Sequence, residues 1–145
     1  MAPAVSSIAD VNVYVAAFRA DHPHHQRCAA WLEQQGQSPK PFGVGTVVLS
    51  GAMRVLTNPR IYVDPASTAE AMDFCQAVVN HRNAILVHPG PGHWGIFAGL
   101  VRSIGARHAL IPDAWFAALA IEASCPWVSL DRDFARFPGL EWQQP

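Results

Sequence analysis

The stretch PDAWFAALAIEASCPWVSLDRD, residues 112–133, carries the pattern that decides the fold of this chain. Residues 113–123 form a strongly apolar segment long enough for a helix, and Trp127–Leu130 is a short apolar run typical of a buried strand. Aspartates stand where the helix begins and just after the strand ends; they are Asp113, Asp131 and Asp133. This stretch therefore predicts a helix followed by a strand, with acidic side chains at the ends of both elements.

Short apolar runs and helix-like segments alternate through the rest of the chain as well. Strands are predicted at 4–9, in the FGVG of the loop 39–45, at 84–87 as a buried strand, and at 140–142 as an edge strand. Helices are predicted at 11–19, at 24–35 ending at Gly36, at 47–56 capped by Thr46, at 68–80 beginning after Ser67, and at 93–104. This alternation predicts one α/β domain over 1–145, with a mainly parallel central sheet between two helical layers.

The composition favours a folded globular protein. Half of the 145 residues are apolar and 14% are charged, a balance that argues against disorder. No apolar run reaches the roughly 20 residues of a membrane helix. Residues 1–13 lack the basic start and the long apolar core of a secretory signal. We therefore expect a cytoplasmic protein that does not associate with membranes.

The cysteines and the net charge limit the partners that the chain can use. The cysteines form no Cys-x-x-Cys pair, so neither a zinc ribbon nor a disulfide framework is supported. We expect buried thiols in a reducing compartment at Cys28, Cys75 and Cys125. The net charge of −1 provides no global basic field for nucleic acid, so any such binding depends on local patches.

Acidic side chains at three points of the chain indicate a shared cation. Asp10 follows the predicted first strand, Asp131 follows the strand at 127–130, and Asp113 begins a helix. Ligands of parallel α/β folds collect beyond the carboxyl ends of the strands, so these segments are expected to meet in one crevice. Carboxylates in such a crevice repel one another unless a hard divalent cation such as Mg²⁺ offsets the repulsion.

Each carboxylate also has an interpretation without a metal. Asp10 and Asp113 both stand where a side chain can cap a helix. Asp131 and Asp133 flank Arg132, as they would in a solvated turn. The two interpretations of Asp113 are compatible, because one carboxyl oxygen can accept backbone N–H groups while the other binds a cation. The joint occurrence of all three acidic segments favours the cation site.

Asn12, two residues after Asp10, is expected to orient that carboxylate or a bound water. A Mg²⁺ or Mn²⁺ ion held by carboxylates and waters would bind a phosphodiester oxygen, lower the pKa of a bound water and stabilise charge on the leaving oxygen. The chain contains no GxSxG motif and no P-loop. The residues therefore predict phosphodiester hydrolysis without a protein nucleophile.

Four segments of the chain resemble the PIN-domain ribonucleases, and most closely the VapC toxins of bacterial toxin–antitoxin pairs. The segments are DVNV at 10–13, LSGAMRVLTNPR at 49–60, PDAWFAALAIE at 112–122 and VSLDRDFARFPGLEW at 128–142. The resemblance implies a PIN-like fold and a Mg²⁺-dependent endoribonuclease, usually a homodimer, that a VapB-type antitoxin inhibits. It implies metal-binding acids at Asp10, Asp113 and Asp131. Asn12 matches the polar residue of the family's opening motif, and Asp133 is a supporting residue.

One position departs from the family pattern. Many PIN nucleases carry a glutamate on the helix placed here at 47–56, whereas this chain has Thr46, Ser50 and Gly51 there and no acidic residue. A site with three acids is therefore expected, in which water replaces the missing ligand and metal affinity is weaker. The alternative is a catalytically weak or inactive PIN-like module that binds RNA or antitoxin. A metal-dependent phosphatase or DNA nuclease with the same acids is a third interpretation.

Other side chains have interpretations that do not depend on the acids. Arg54, Arg60 and Arg132 are candidates for RNA phosphate contacts, and Arg54 can instead pair with an acid near the crevice. Trp94, in a Gly-rich opening, is the tryptophan expected to be exposed, and core or dimer packing is expected for the others. The HPHH run at 22–25 lacks the spacing of a zinc site, and His24 and His25 are expected in solvent.

Overall fold

Five short strands form one parallel sheet in the computed structural model, which describes residues 4–145. The strands are β1 (Ile8–Ala9), β2 (Phe42–Gly45), β3 (Ala84–Val87), β4 (Trp127–Val128) and β5 (Trp142–Gln143). They lie in the order β3-β2-β1-β4-β5, and every neighbouring pair is parallel. Residues 1–3 lie outside the described residues. They belong to the predicted domain and to the segment in which the sequence predicts no secretory signal.

Six α-helices cover this sheet in the part of the chain that the structure describes. They are α1 (Val11–Phe18), α2 (His25–Gln37), α3 (Thr46–Leu56), α4 (Thr68–Val79), α5 (His93–Ile104) and α6 (Leu110–Glu122), and a 3₁₀ helix spans Arg132–Arg136. α1 packs on α2 and α3, α3 packs on α4, and α5 packs on α6. Because crossovers between parallel strands are right-handed, α1 to α4 cover one face of the sheet and α5 and α6 the other. The predicted three-layer α/β/α fold is confirmed.

The two most central strands bring the acidic segments to one edge of the sheet. In the β1–β4 pair, Ile8 lies opposite Trp127 and Ala9 lies opposite Val128. Both strands therefore end at the same level. The residues that follow them begin at the carboxyl-end edge, where ligands of such sheets collect.

Aromatic packing fixes the segment that follows β4. Trp127 is fully buried, and its ring stacks on Phe116 of α6 with 5.5 Å between centroids. Phe134 of the 3₁₀ helix is also buried and lies 5.5 Å from the Trp127 ring. This contact anchors the 3₁₀ helix to β4, so Asp131 and Asp133 are held at the edge of the sheet by apolar packing on either side of them.

Two predicted helix boundaries on the α1–α4 side were wrong for local reasons. α2 does not end at Gly36 but continues to Gln37. A Cβ at residue 36 would lie 2.9 Å from Nε2 of His81, so the glycine lets the helix pass that ring. Thr46 is the first residue of α3 rather than its cap, and Gly45 takes the cap position without a side-chain hydrogen bond. The helix predicted after Ser67 is confirmed, with a capping box to Glu70.

The start of α6 is the boundary correction that affects the acidic site. The helix begins at Leu110, one turn earlier than predicted, so Asp113 lies in its first turn and is not the N-cap. Pro112 fits inside this turn because the first N–H groups of a helix have no helical partner. The interpretation of Asp113 as the N-cap is therefore wrong, because Ala109 holds that position.

The strands are shorter and more exposed than the sequence predicts. β1 has two residues instead of six, since Ser6 and Ser7 interrupt the apolar run before it. β4 likewise ends at Val128 rather than Leu130. The strand at 84–87 is present but lies at the edge of the sheet, where Leu86 is 41% exposed, so its predicted burial was wrong. The last strand is an edge strand as predicted.

The cysteines occupy the interior as the sequence predicts. All three are free thiols and all are buried, with Cys28 inaccessible to solvent. None of the helices in residues 4–145 combines the length and the hydropathy that a membrane crossing needs.

Candidate active site

Asp10 is the first residue after β1 and the N-cap of α1, so the chain turns from strand to helix at this carboxylate. Its Oδ1 accepts a hydrogen bond from the backbone N–H of Val11 at 2.7 Å. The residue is only 7% exposed, and an ionised carboxylate is costly to bury without partners. The predicted cap is confirmed, and it uses only one of the two carboxylate oxygens.

The second carboxylate oxygen of Asp10 faces two polar side chains. Ser129 donates from its Oγ to Oδ2 at 2.7 Å, and Asn12 donates from its Nδ2 to the same oxygen at 3.3 Å. Asn12 also accepts at Oδ1 from the backbone N–H of Leu130 at 3.1 Å. These bonds tie the start of α1 to the segment after β4. Asn12 thus contacts the carboxylate that it is predicted to orient.

Ser129 belongs to the site although the sequence did not single it out. It is fully buried, and its Oγ lies 3.1 Å from Nδ2 of Asn12 and accepts from the backbone N–H of Asp131 at 3.0 Å. Its carbonyl oxygen accepts from Nε1 of Trp142 in β5 at 3.1 Å. The available signal was a single hydroxyl residue inside the apolar run that ends at the aspartates. A buried hydroxyl in such a place needs a partner.

Asp131 and Asp133 lie at the start of the 3₁₀ helix. Asp131 is its N-cap, and Oδ1 accepts from the backbone N–H of Asp133 at 2.9 Å. Asp131 is half-buried, whereas Asp133 and Arg132 are exposed. No ion pair within residues 4–145 joins Arg132 to either aspartate. The solvated turn therefore describes Asp133 better than Asp131.

The pKa of Asp10 reflects both its burial and its partners. Burial raises the pKa of this carboxyl to about 6 from an ordinary value of 3.8. The hydrogen bonds from Ser129 and Val11 oppose the rise, because they stabilise the charged form, and the negative charge of Asp131 adds to it. A carboxylate with this pKa is readily protonated unless a positive charge is close.

Asp113 shows that the acidic segments influence one another. Burial raises the pKa of its carboxyl to about 6, and the negative charges of Asp10, Asp131 and Asp133 contribute to the rise in that order. Its side chain has no hydrogen-bond partner among those found in the described residues. Residues from three separate segments of the chain therefore share one electrostatic environment, which we call the acidic pocket: Asp10, Asp113, Asp131 and Asp133.

The donor set of the acidic pocket suits a hard divalent cation. Carboxylate, amide and hydroxyl oxygens are the ligands that Mg²⁺ and Mn²⁺ prefer, and a cation would relieve the repulsion that raises the two pKa values. Within the described residues, no three His, Cys, Asp or Glu side chains already form a group that could hold a metal ion. Joint coordination would therefore need the carboxylates to close around an incoming ion.

α3 is the helix on which the resemblance predicts the missing glutamate. Gly51 of α3 lies against α1, where a Cβ would come within 2.9 Å of Cγ2 of Val11. Val11 is the neighbour of Asp10, so this part of α3 passes close to the acidic pocket without offering it a side chain. Ser50 is exposed and Thr46 is half-buried. α3 contributes no acid, as the sequence shows.

The arginine, tryptophan and histidine candidates differ in their exposure and contacts. Arg54 and Arg60 are exposed, and among residues 4–145 neither pairs with an acid within ion-pair distance. Trp94 is 66% exposed, as predicted, whereas Trp127 is fully buried. His25 is half-buried rather than solvated, because its Nδ1 lies 2.8 Å from the carbonyl oxygen of Ala16.

A cavity of about 440 Å³ lies outside the acidic pocket. Side chains of α2 and α4 line it, among them Leu32 and Phe74, over a floor that includes Phe42 of β2. None of the four aspartates contributes to its wall. The acidic pocket is thus separate from this cavity.

Comparisons with known proteins agree with this geometry. Residues 8–140 match the family model described as PIN domain. Ribonuclease VapC31 of Mycobacterium tuberculosis is 39% identical over 136 residues, which cover 94% of this chain and 96% of that protein. Ribonuclease VapC43 of the same organism is 38% identical over 94% of this chain and 92% of its own length.

Solved structures share the fold at low sequence identity. The crystal structure of VapBC2 from Rickettsia felis, bound to a DNA fragment from its promoter, superposes with a TM-score of 0.71 at 14% identity and covers 97% of this chain and 98% of that one. VapC20 of Mycobacterium tuberculosis, described as a sarcin-ricin loop cleaving toxin, gives a TM-score of 0.66 at 16% identity over 93% and 98% of the two chains. The chain therefore belongs to the PIN-domain family and, within it, to the VapC ribonucleases.

Proposed function

We propose that this protein is a divalent-metal-dependent endoribonuclease that acts as the toxin of a toxin–antitoxin pair. The observation that carries the proposal is the Ser129 hydroxyl, which donates to Asp10 at 2.7 Å and accepts from the backbone N–H of Asp131 at 3.0 Å. Asp113, from a third segment, lies within the electrostatic influence of both aspartates. Ribonucleases of the PIN-domain family generally depend on a divalent metal, and relatives of this chain are named ribonucleases. We assign Mg²⁺ as the metal, with Mn²⁺ as a substitute.

The residues of the acidic pocket have distinct proposed roles. Asp10, Asp113 and Asp131 would hold the metal through their carboxylates. Asn12 keeps Asp10 in place through its 3.3 Å contact, and Asp133 adds negative charge beside Asp131. Asp10 and Asp113 must be ionised to bind a cation. Their pKa values of about 6 leave both mostly ionised at neutral pH, and protons compete with the cation below that pH.

The bound cation would supply charge neutralisation at a phosphodiester oxygen and a water of lowered pKa. The protein's contribution is to hold the carboxylates at the sheet edge, with Asp10 fixed between Val11 and Ser129. RNA is the proposed substrate. A VapB-type antitoxin is the proposed inhibitor, a homodimer the proposed assembly and the cytoplasm the proposed location.

RNA cleavage by the purified protein tests this function. A labelled single-stranded RNA should be cut in the presence of Mg²⁺ or Mn²⁺, and EDTA should stop the reaction. Asp10→Asn should lower the rate by more than about 100-fold, since it removes a metal ligand of the proposed site. Asp73→Asn is the matched control, because Asp73 is an exposed aspartate of α4. Equal cleavage by the Asp10→Asn variant and the wild type would overturn the mechanism.

A second candidate function rests on Gly51. Because α3 offers no acid where many PIN nucleases carry one, a module that binds RNA or antitoxin without cutting is the alternative. It predicts RNA binding that EDTA does not change, with no cleavage of any RNA tested. A Gly51→Glu variant is not a suitable repair, because a side chain at residue 51 would collide with Val11 at 2.9 Å.

A further inference from the structure

Two arginines lie on segments that adjoin the residues of the acidic pocket. Arg107 lies in the loop 105–109 that leads into α6, the helix that carries Asp113. Arg132 is the first residue of the 3₁₀ helix and directly follows Asp131. Both side chains are exposed. We call Arg107 and Arg132 the basic rim.

Arg107 lies in a turn that leads into α6. Its carbonyl oxygen accepts from the N–H of Leu110 at 3.1 Å, and the carbonyl oxygen of His108 accepts from the N–H of Ile111 at 3.0 Å. The turn therefore joins the start of α6, whose first turn carries Asp113. This start faces the same edge of the sheet as Asp10 and Asp131, since the charges of both act on Asp113.

Neither arginine of the basic rim has an ionic partner within residues 4–145. The ion pair found there joins Arg19 to Asp21, far along the chain from both. No hydrogen bond among the described residues uses the guanidinium of Arg107 or Arg132. Both arginines thus lie on segments that adjoin the acidic pocket, and no paired contact in this part of the chain explains them.

The negative charge of the proposed RNA substrate suggests a role for these arginines. RNA carries a negative charge at every phosphate, so a pocket of aspartates repels the strand except where a metal is bound. The net charge of −1 supplies no general attraction. Cations beside the pocket would hold the neighbouring phosphates, and the planar fork of arginine suits phosphate oxygens better than a point charge does.

We propose that Arg107 and Arg132 bind RNA backbone phosphates next to the one that enters the acidic pocket. This inference rests on the proposed function and assigns substrate contacts for the same site. Arg132 is a phosphate candidate from the sequence alone, whereas Arg107 becomes one only because its loop leads into the helix of Asp113.

The salt dependence of RNA binding tests the basic rim. A fluorescent single-stranded RNA is titrated with protein in EDTA, so that it stays intact, and the affinity is measured by anisotropy from about 50 to 200 mM salt. Arg107→Ala and Arg132→Ala should each weaken binding about 5- to 10-fold at the lowest salt. Each should also reduce the slope of log K against log salt by about 0.7, the value for one phosphate contact on a single strand.

Two further variants keep the result interpretable. Arg82→Ala removes an exposed arginine from the turn before β3, at the amino-end edge of the sheet, and should leave the slope unchanged. Arg107→Lys keeps the charge and should restore most of the slope lost in Arg107→Ala. Circular dichroism of each variant confirms that the fold is retained.

The outcomes distinguish this inference from the proposed function. A wild-type protein that cuts RNA, with both alanine variants keeping the full slope, would overturn the basic rim and leave the nuclease intact. A wild-type protein that neither binds nor cuts RNA would overturn the proposed function, and the basic rim with it. In a cleavage assay, the rim variants should raise KM and leave kcat within about twofold, as expected for uniform binding contacts.

Discussion

Ser129 is the residue on which the geometry of Asp10 depends most. Its hydroxyl donates to Asp10 at 2.7 Å and accepts from the backbone N–H of Asp131 at 3.0 Å, all in a fully buried position. One side chain therefore links two proposed metal ligands from opposite ends of the sequence. A buried group of this kind costs most when one of its partners is removed.

Replacing Ser129 should change the pH dependence of RNA cleavage. The Ser129 hydrogen bond lowers the pKa of Asp10, so in Ser129→Ala this pKa rises above about 6. A larger fraction of Asp10 is then protonated at any given pH, and the acid limb of the cleavage profile should move to higher pH. We also expect a loss of about 1–3 kcal/mol in unfolding free energy. Ser129→Thr keeps the hydroxyl and should retain the wild-type profile; an unmoved limb in the alanine variant would contradict the assigned contact.

Asp113 should destabilise the metal-free protein near neutral pH. Its pKa is about 6 in the folded state against an ordinary 3.8, so the fold binds its proton more tightly than the unfolded chain does. The associated stability is present below pH 3.8 and is lost as the pH rises through 6. Asp113→Asn should therefore be more stable than the wild type at neutral pH, by about 1 kcal/mol because solvent screens this half-buried group.

Urea unfolding in EDTA, at a neutral pH and again near pH 3, measures this difference. The two proteins should converge at the acidic pH, where Asp113 is protonated in both folded and unfolded states. Equal stability at neutral pH would mean that the repulsion among the aspartates is absent.

At the scale of elements, the contact between α1 and α3 sets the position of the acidic pocket. Gly51 lets the two helices approach, since a Cβ there would meet Cγ2 of Val11 at 2.9 Å. Val11 is β-branched and lies in a helix, so its side chain has little freedom to turn away. The glycine thus fixes the distance of α3 from the residue next to Asp10.

Two glycines of helix interiors should respond to alanine in opposite ways. Gly51→Ala should lower the unfolding free energy by about 1–3 kcal/mol, because overpacking outweighs the gain in helix propensity. Gly99 of α5 is exposed, and nothing lies within 4 Å of a Cβ built there. Gly99→Ala should therefore raise the unfolding free energy by up to about 1 kcal/mol. Thermal or urea unfolding of both variants gives the two signs, and a stabilised Gly51→Ala would show that α3 can shift away.

At the scale of the whole molecule, the fold converts a sequence of scattered aspartates into one electrostatic unit. Parallel pairing of β1 with β4 aligns the ends of the strands from which Asp10 and Asp131 follow. α6 returns along the sheet, so that its first turn brings Asp113 under the influence of both. Without a cation, the burial and mutual repulsion of these carboxylates lower the unfolding free energy at neutral pH. Metal binding should therefore stabilise the entire domain.

Metal should therefore raise the melting temperature in a pH-dependent way. At a Mn²⁺ concentration about 100 times the Kd, the gain is about 2.7 kcal/mol, or roughly 6–10 °C for a domain of this size. Protons compete for Asp10 and Asp113, whose pKa values are about 6, so the gain should shrink below that pH. Differential scanning fluorimetry at two pH values measures it. Asp10→Asn should show little gain, and an equal gain in that variant would place the metal elsewhere.

The sequence by itself determined the order of strands and helices, the three-layer fold and the family. Each of these depends on local periodicity and short motifs, such as the apolar helix and strand within 112–133, which neighbouring residues define among themselves. The placement of Asp10 at a strand end and the burial of the cysteines also followed, because apolar surroundings are visible in the chain.

Only the tertiary structure decided which side chains complete the site. The role of Ser129 depends on the pairing of β4 with β1. The proposed role of Arg107 depends on the position of α6, whose first turn brings Asp113 under the influence of Asp10. The predicted end of α2 at Gly36 and the predicted cap of α3 at Thr46 were also misplaced. Gly36 lets α2 pass the ring of His81, and Gly45 takes the N-cap position of α3. The physical reason is that hydrogen bonds, burial and repulsion join residues that are far apart in sequence, as between Ser129 and Asp10.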